Sequence, residues 1–235
     1  MSKKLALIIG GNGGIGSSAA RKLIKDGMHV CLTYHNNRDQ IDKIKAEFGD
    51  NDITEYQCNS LDSTETTKTI SDIKNTFGNV DVVVFTLTSS LKNSRLLELE
   101  WRDYKEHFEL QLKTMFHVTK ALNEQICGKH KTKFIVLLTE YCIGSPPKGL
   151  SHYVTSKYAA MGMAKAMAVE FAQYGCTVNM ISPGMVETPL LDSLPSKLIE
   201  ITAYQNPMKR NAIPEDVSNA ISFLASEQSD YCLLY

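Results

Sequence analysis

The sequence lacks the features that mark membrane, secreted and nucleic-acid-binding proteins. No apolar run approaches the roughly 20 residues that a membrane-spanning helix needs. The first residues, Met1 to Lys4, lead straight into an apolar run, without the small-residue cleavage site of a signal peptide. The formal net charge is -1, so electrostatics favour neither nucleic acid nor an anionic membrane as a partner. We therefore expect a cytoplasmic protein with no membrane or nucleic-acid partner.

Cysteine spacing excludes two further classes. The six cysteines are scattered along the chain, and no two of them form a Cys-x-x-Cys pair. This pattern predicts a reducing compartment, with neither a disulfide scaffold nor a metal site. No internal repeat, low-complexity segment or linker divides the chain. Its 235 residues, 43% of them hydrophobic, predict one domain that spans 1–235.

The N-terminal segment contains an apolar run, a glycine-rich turn and a helix-forming stretch in immediate succession. Residues 5–9 are typical of a strand buried on both faces, and five glycines follow within 10–16. Glycines let a backbone approach a pyrophosphate, and a helix N-terminus supplies N–H groups and a positive dipole. A merely flexible turn does not explain so many glycines there. The expected phosphate contacts come from Gly10, Asn12, Gly13, Gly14, Ile15 and Gly16.

The second apolar run, residues 29–34, ends without the acidic residue that usually binds the ribose diol of NAD. Neutral and basic side chains follow it, and the first carboxylate is Asp39. Such groups suit the 2′-phosphate of NADP, so we expect NADPH as the cofactor and consider NAD less suited. Arg38 could instead be a solvated helix start. The candidate ribose and phosphate contacts are Tyr34, His35, Asn36 and Arg38.

Later segments alternate between strand-like and helix-like patterns. Apolar runs at 53–58, 80–85, 134–138 and 177–181 are separated by helical stretches, which predicts an α/β fold with a doubly wound parallel sheet. One long helix is predicted over 101–122. The amphipathic segment 190–206 is flanked by prolines and is a candidate lid.

The stretch 151–172 contains a tyrosine and a lysine four positions apart, Tyr153 and Lys157. Residues at this spacing lie on one face of a helix, so the phenol and the ammonium should meet. A nearby cation lowers a tyrosine pKa, which makes Tyr153 a candidate general acid or base. Taken alone, a solvated helix face is the simpler interpretation of this spacing.

With these segments in order, the chain resembles the short-chain dehydrogenase/reductase family, and within it the 3-oxoacyl-[acyl-carrier-protein] reductases. The resemblance covers nearly the whole chain and implies a Rossmann-type fold. It implies an NADPH-dependent carbonyl reductase of a biosynthetic pathway, acting on a small-molecule carbonyl such as an acyl or polyketide-like thioester. The motifs that carry it are Gly10, Gly14 and Gly16, the Tyr153 and Lys157 pair, Val178-Asn179, the segment 183–188, and the segments 214–217 and 223–226.

The resemblance also implies a role for each matching residue. Tyr153 would donate a proton to the substrate carbonyl oxygen, and Lys157 would hold the nicotinamide ribose. The segment 183–188 would position the carboxamide and phosphates. In that segment we expect contacts from Pro183, Gly184, Val186 and Thr188, and beside the adenine from Asn59 and Ser60.

Several positions depart from the family pattern. The asparagine of the proton relay aligns with Gln111, and the catalytic serine aligns with Glu140. The loop is one residue longer there, so Thr139 or Tyr141 is an alternative occupant. An ionised Glu140 would repel the charge that develops on the carbonyl oxygen. Two other functions therefore remain open: an impaired nucleotide-binding subunit paired with an active homologue, and a different chemistry that uses Glu140 as a base.

Assembly is also implied by the resemblance. Family members pair through two long helices, here around 101–122 and 154–173, so we expect a homodimer, with a homologous partner subunit as an alternative. The family's closing strand has no counterpart before Tyr235, which predicts a weakened tetramer. The residues expected at the dimer contact are Ala160, Met163, Ala164, Met167 and Phe171.

Overall fold

The computed structural model describes residues 3–233 and contains a parallel sheet with helices on both faces. Within this range the sheet has six strands in the order β3-β2-β1-β4-β5-β6. The predicted doubly wound α/β fold is thereby confirmed. Aliphatic and β-branched side chains dominate the strands because both faces of the sheet are covered. The strands are β1 (Leu5–Ile9), β2 (His29–Tyr34), β3 (Ile53–Gln57), β4 (Val82–Phe85), β5 (Lys133–Leu137) and β6 (Thr177–Ile181).

Helices connect the strands and cover the sheet. No helix in the described part of the chain is long and apolar enough to cross a membrane. Short 3₁₀ turns lie at Leu96–Glu98, Glu140–Cys142, Pro189–Ser193 and Glu227–Ser229. The α-helices are α1 (Gly14–Lys25), α2 (Asp39–Phe48), α3 (Ser63–Phe77), α4 (Trp101–Phe108), α5 (Thr114–Ala121), α6 (Asn123–Cys127), α7 (Ser151–Ala172), α8 (Ser196–Gln205) and α9 (Pro214–Ala225).

The strand register brings the functional loops to one edge of the sheet. Ile9 at the end of β1 lies opposite Thr33 of β2 and Phe85 of β4. The strand order reverses between β1 and β4, and ligands of open α/β sheets bind in the crevice at such a point. The loops that follow all six strands therefore start around the same crevice.

Alternate residues of each strand supply two separate apolar layers. In β1, Ala6 and Ile8 pack with α1, α2 and α9, while Leu7 and Ile9 pack with α3, α5 and α7. The composition of the second layer corrects the prediction of which α7 residues form the dimer contact. Ala164 has no exposed surface, and it faces the sheet together with Ala160 and Met167. These residues belong to the core and cannot form the main contact between two copies.

The predicted helix 101–122 is interrupted in its middle. Glu109–Lys113 forms a π-helical turn between α4 and α5. Such turns contain an extra residue and are frequent at functional sites. Gln111 lies inside this turn and is buried. The candidate lid, 190–206, consists of the turn at Pro189–Ser193 followed by α8.

Candidate active site

The turn between β1 and α1 has a shape that only glycine permits at two positions. Gly10 has a φ of +91°, a conformation that other residues rarely adopt. A Cβ on Gly16 would clash with the carbonyl oxygen of Gly10, a backbone atom that could move away only if the turn itself shifted. Helix α1 begins without a side-chain cap and without an acidic residue in its first turn. Its N-terminal N–H groups are therefore suited to an anionic ligand.

A cleft of about 1050 Å³ runs along this turn and the ends of β2, β3 and β4. It is large enough for a dinucleotide, and most of the predicted cofactor residues line it. Sequence reasoning missed Arg21 and Asn37, which also line it. Arg21 was recognisable, because helical spacing from Gly14 puts it on the same face of α1. The predicted residues in the cleft are Gly10, Asn12, Gly13, Gly14, Ile15, Gly16, Tyr34, His35, Asn36, Asn59, Ser60 and Thr188.

Arg38, which the sequence predicts to meet a 2′-phosphate, is absent from the lining of this cleft. Its guanidinium donates to Asp42 at 2.7 Å and to Glu55 at 3.3 Å. Two carboxylates outside the cleft thus hold the side chain on the flank of α2. Arg21, by contrast, does line the cleft, and its Nε donates to Glu47 at 2.8 Å.

A second, smaller cavity of about 90 Å³ adjoins the cleft. The two share Ile15, Thr86, Thr88, Thr188 and Leu190 in their walls. Aliphatic side chains from five separate segments make up about half of the lining of the smaller cavity. The remaining predicted residues Pro183, Gly184, Val186, Tyr153 and Lys157 line it, together with Leu91, Leu150, Met185, Leu191 and Leu194.

Tyr153 and Thr139 lie together in the wall of this cavity. Burial raises the pKa of Tyr153 to about 12, and the polar Thr139 side chain acts in the opposite direction. Thr139 is buried and is the second residue after the end of β5. Tyr153 is therefore protonated at neutral pH and is able to donate a proton.

Lys157 lies one helical turn beyond Tyr153 and is almost fully buried. Its ammonium donates to the carbonyl oxygen of Leu137 at 2.8 Å and lies 5.8 Å from the centre of the Tyr153 ring. Burial lowers the Lys157 pKa to about 8. Proximity of the two residues is as predicted, but the predicted fall in the tyrosine pKa is wrong, because burial outweighs other effects.

Glu140 is the main correction to the predicted site. Its side chain is exposed and lies near Gly184, outside the lining of both cavities. Its backbone N–H donates to the carbonyl oxygen of Pro183 at 2.9 Å, which turns the chain so that Thr139 faces inward. Tyr141 does line the apolar cavity, and burial is the main cause of its raised pKa.

Gln111 lies behind the wall of the site. Its side-chain amide donates to the carbonyl oxygen of Leu87, a residue that lines the cleft. The neighbouring hydroxyl of Thr86 donates to the carbonyl oxygens of Ile9 at 2.9 Å and Gly10 at 3.1 Å. Gln111 therefore positions the 86–88 segment and does not line either cavity.

Two buried histidines lie beside the tyrosine. The rings of His107 and His152 are 4.7 Å apart, and His107 meets the edge of the Tyr153 ring at 6.1 Å. Burial is the main cause that lowers the pKa of both, to about 4 for His107, so both are neutral at pH 7. No group of three or more His, Cys, Asp or Glu residues between 3 and 233 is arranged to hold a metal ion.

Comparison with known proteins places this site in a family. A family model described as enoyl-(acyl carrier protein) reductase matches residues 10–233. The chain belongs to the short-chain dehydrogenase/reductase family. The 3-oxoacyl-[acyl-carrier-protein] reductase FabG of Staphylococcus aureus is 29% identical over 233 residues, 97% of this chain and 93% of that protein. The oxidoreductase UcpA of Salmonella typhimurium is 28% identical over 243 residues, 98% of this chain and 90% of that protein.

Solved structures agree with this placement. ElxO with NADP bound has a TM-score of 0.88 and 26% identity, and the match covers 98% of this chain and 94% of ElxO. A tyrosine-to-phenylalanine variant of ElxO with NADPH bound gives the same values. A short-chain dehydrogenase/reductase from Serratia marcescens also has a TM-score of 0.88, with 99% of this chain and 94% of that one covered, and at 20% identity it supports the fold alone. The chain therefore belongs to a family of oxidoreductases, and ElxO, one of the proteins that it resembles in structure, has been solved with NADP and with NADPH bound.

Proposed function

We propose that this protein is an NADPH-dependent carbonyl reductase whose substrate is a 3-oxoacyl or similar thioester of a biosynthetic pathway. The observation that carries the proposal is the Tyr153 and Thr139 pair, which lies in an apolar cavity beside a dinucleotide-sized cleft. The similarity to FabG supports the substrate class, and the free cysteines fit a reducing cytoplasm. We propose that residues 1–235 form one nucleotide-binding domain.

The cleft fits the proposed cofactor on its own chemistry. Gly10 and Gly16 make room for a pyrophosphate, and the uncapped N-terminus of α1 offers N–H groups to it. Asn59 and Ser60 are suited to flank the adenine, while Lys157 and Thr188 are suited to hold the nicotinamide end. Bound NADPH would supply the hydride of the reduction.

The residues of the chain would supply the proton and the charge stabilisation. Tyr153 is protonated at neutral pH and would transfer its proton to the carbonyl oxygen as negative charge develops there. Thr139 would donate a hydrogen bond to the same oxygen, as expected for a preorganised donor in a site shielded from water. The aliphatic wall would exclude water and accept the apolar body of the substrate.

Consumption of NADPH in the presence of an acetoacetyl thioester tests this function, with the Tyr153→Phe variant as the control. Turnover by the parent protein, together with little or no turnover by the Tyr153→Phe variant, would support the proposed reductase function. Absence of turnover on any carbonyl tried, with nucleotide still bound, would instead support the impaired subunit. A chemistry based on Glu140 has no support from the geometry, because that carboxylate lies outside both cavities.

Cofactor choice can be tested at the end of β2. Tyr34 ends that strand and lines the cleft, so a carboxylate introduced there would face the ribose. We expect the parent to bind NADPH more tightly than NADH, because His35, Asn36 and Arg21 are donors. Tyr34→Asp should weaken NADPH binding by roughly tenfold or more through charge repulsion, with little effect on NADH. Fluorescence titration with both nucleotides measures this.

Arg38→Gln is the matched control for this titration. It changes a charge near α2 but outside the cleft, so NADPH affinity should stay close to that of the parent. Equal affinity of the parent for NADH and NADPH would contradict the proposed preference. If Arg38→Gln lowered the affinity for NADPH as much as Tyr34→Asp does, the Arg38 side chain would have to turn into the cleft when the nucleotide binds.

We also propose a homodimer through the exposed face of α7 and the neighbouring α5. Tyr158, Gly162 and Val169 share one face of α7, and the tyrosine and valine are 47% and 65% exposed. Phe116 on α5 is 54% exposed. A Cβ on Gly162 would meet no atom within 4 Å, so a second helix could approach closely there.

Gly162→Arg should convert this dimer into a monomer without unfolding it. The substitution adds a large charged side chain on a surface that has room for it, and arginine is the better helix former. Light scattering after size exclusion measures the mass, and Ser71→Arg on the exposed face of α3 is the control. A parent that is monomeric at micromolar concentration, or a Gly162→Arg protein that stays dimeric, would exclude this face as the main contact.

A further inference from the structure

Thr88 occupies a position in the site that the reaction described above does not use. It follows the carboxyl end of β4 and lines both the cofactor cleft and the apolar cavity. Its hydroxyl oxygen is buried and has no hydrogen-bond partner among the described residues. Leaving a hydroxyl buried and unpaired is unfavourable, and in folded proteins such groups commonly have a functional reason.

Most other hydroxyl and ammonium groups of this site already have a hydrogen-bond partner within the chain. Thr88 is the threonine of the apolar wall that has a buried hydroxyl oxygen without a partner among the described residues. Within residues 3–233, Thr86 donates to the carbonyl oxygens of Ile9 and Gly10, Thr188 donates to that of Val186, and Lys157 donates to that of Leu137.

The segment that carries Thr88 is held firmly from both sides. Gln111 binds the carbonyl oxygen of Leu87, and Thr86 binds the glycine turn. A donor fixed in this way can select a ligand by direction as well as by polarity.

We propose that Thr88 determines specificity by donating a hydrogen bond to a second carbonyl oxygen of the substrate. This inference rests on the proposed function, in which Tyr153 and Thr139 take the oxygen of the carbonyl that is reduced. The wall around Thr88 is otherwise aliphatic, with Leu91 and Leu150 in it. A substrate with two carbonyl groups separated by one carbon would satisfy both polar points of the cavity, whereas a simple ketone would leave the Thr88 hydroxyl unpaired.

A pair of substrates with equal chain length tests the proposal: ethyl acetoacetate, which has a second carbonyl, and 2-heptanone, which does not. We expect Thr88→Val, which keeps the shape and removes the hydroxyl, to lower kcat/KM for ethyl acetoacetate roughly tenfold. Its kcat/KM for 2-heptanone should stay within about twofold of the parent value. Thr88→Ser keeps the hydroxyl and should retain the preference for the dicarbonyl compound.

Binding provides a second readout that does not depend on turnover. Calorimetric titration of both compounds into the Tyr153→Phe variant saturated with NADPH should show tighter binding of ethyl acetoacetate, and adding Thr88→Val should remove the difference. The proposal would be overturned if Thr88→Val lowered kcat/KM or affinity equally for both compounds, or if it lowered the affinity for NADPH. The hydroxyl would then serve the cofactor or the fold. Absence of turnover with a retained binding difference would contradict the proposed reductase and leave the Thr88 contact supported.

Discussion

Replacing Tyr153 with phenylalanine should lower turnover by roughly 10²–10⁴, the usual contribution of a positioned general acid. The substitution removes only the hydroxyl, and the ring keeps its contacts with Leu91, Leu150 and Leu194. Nucleotide binding should persist, because the cleft at the glycine turn does not include Tyr153. Steady-state oxidation of NADPH with an acetoacetyl thioester measures the loss, and fluorescence titration measures the retained binding.

The comparison of these two measurements decides what the variant means. A fall in turnover with unchanged NADPH affinity and unchanged thermal unfolding supports proton donation by Tyr153. Turnover equal to that of the parent would show that the proton comes from elsewhere. A fall accompanied by markedly lower thermal stability would point to loss of packing and not to loss of a proton donor.

Thr139→Val should lower kcat by roughly 10²–10³, because the variant keeps the shape of the side chain but removes a donor to the developing charge. The hydroxyl also lowers the pKa of Tyr153 against the effect of burial, so its removal makes the phenol a weaker acid. Thr139→Ser retains the hydroxyl and should keep most of the activity. Measurement of kcat at saturating substrate separates this loss from a loss of binding.

Glu140→Gln is the matched control for Thr139→Val, since it changes the neighbouring residue in the same turn. We expect its kcat to remain within about twofold of the parent, because the carboxylate is exposed and outside the cavities. If Glu140→Gln lost as much activity as Thr139→Val, the side chain would have to turn inward during the reaction. Thr139→Val with full activity would remove the threonine from the proposed mechanism.

Periodicity and glycine placement predicted the fold well because they report directly on burial and backbone shape. The run at 5–9 and the turn at 10–16 define β1 and the start of α1, and both are local properties of the sequence. The spacing of Tyr153 and Lys157 likewise needs only the geometry of one helix. These parts of the site are therefore predictable from short stretches of sequence.

The errors concern contacts that depend on other segments. The loop after β5 is one residue longer than in the family, so alignment placed the expected serine position at Glu140. In the structure the backbone N–H of Glu140 donates to the carbonyl oxygen of Pro183, and the Thr139 side chain lines the cavity instead. Arg38 was placed by sequence proximity, yet Asp42 and Glu55 draw its side chain away. Helical periodicity also could not tell which face of α7 covers the sheet, so the buried Ala164 was mistaken for a surface residue.

The π-helical turn at Glu109–Lys113 determines how α4 and α5 are rotated relative to each other beside the site. One extra residue rotates the part of an α-helix that follows it by about 100° about the helix axis. The side chains that α4 directs toward the site are therefore set independently of those that α5 directs toward it. A chain shortened by one residue here could rejoin α4 and α5 as a regular helix and rotate His107 away from Tyr153, while Gln111 would keep its place on the α5 side. Insertion or deletion at this turn can therefore change the surroundings of Tyr153, the proposed proton donor, without replacing any residue of the site itself.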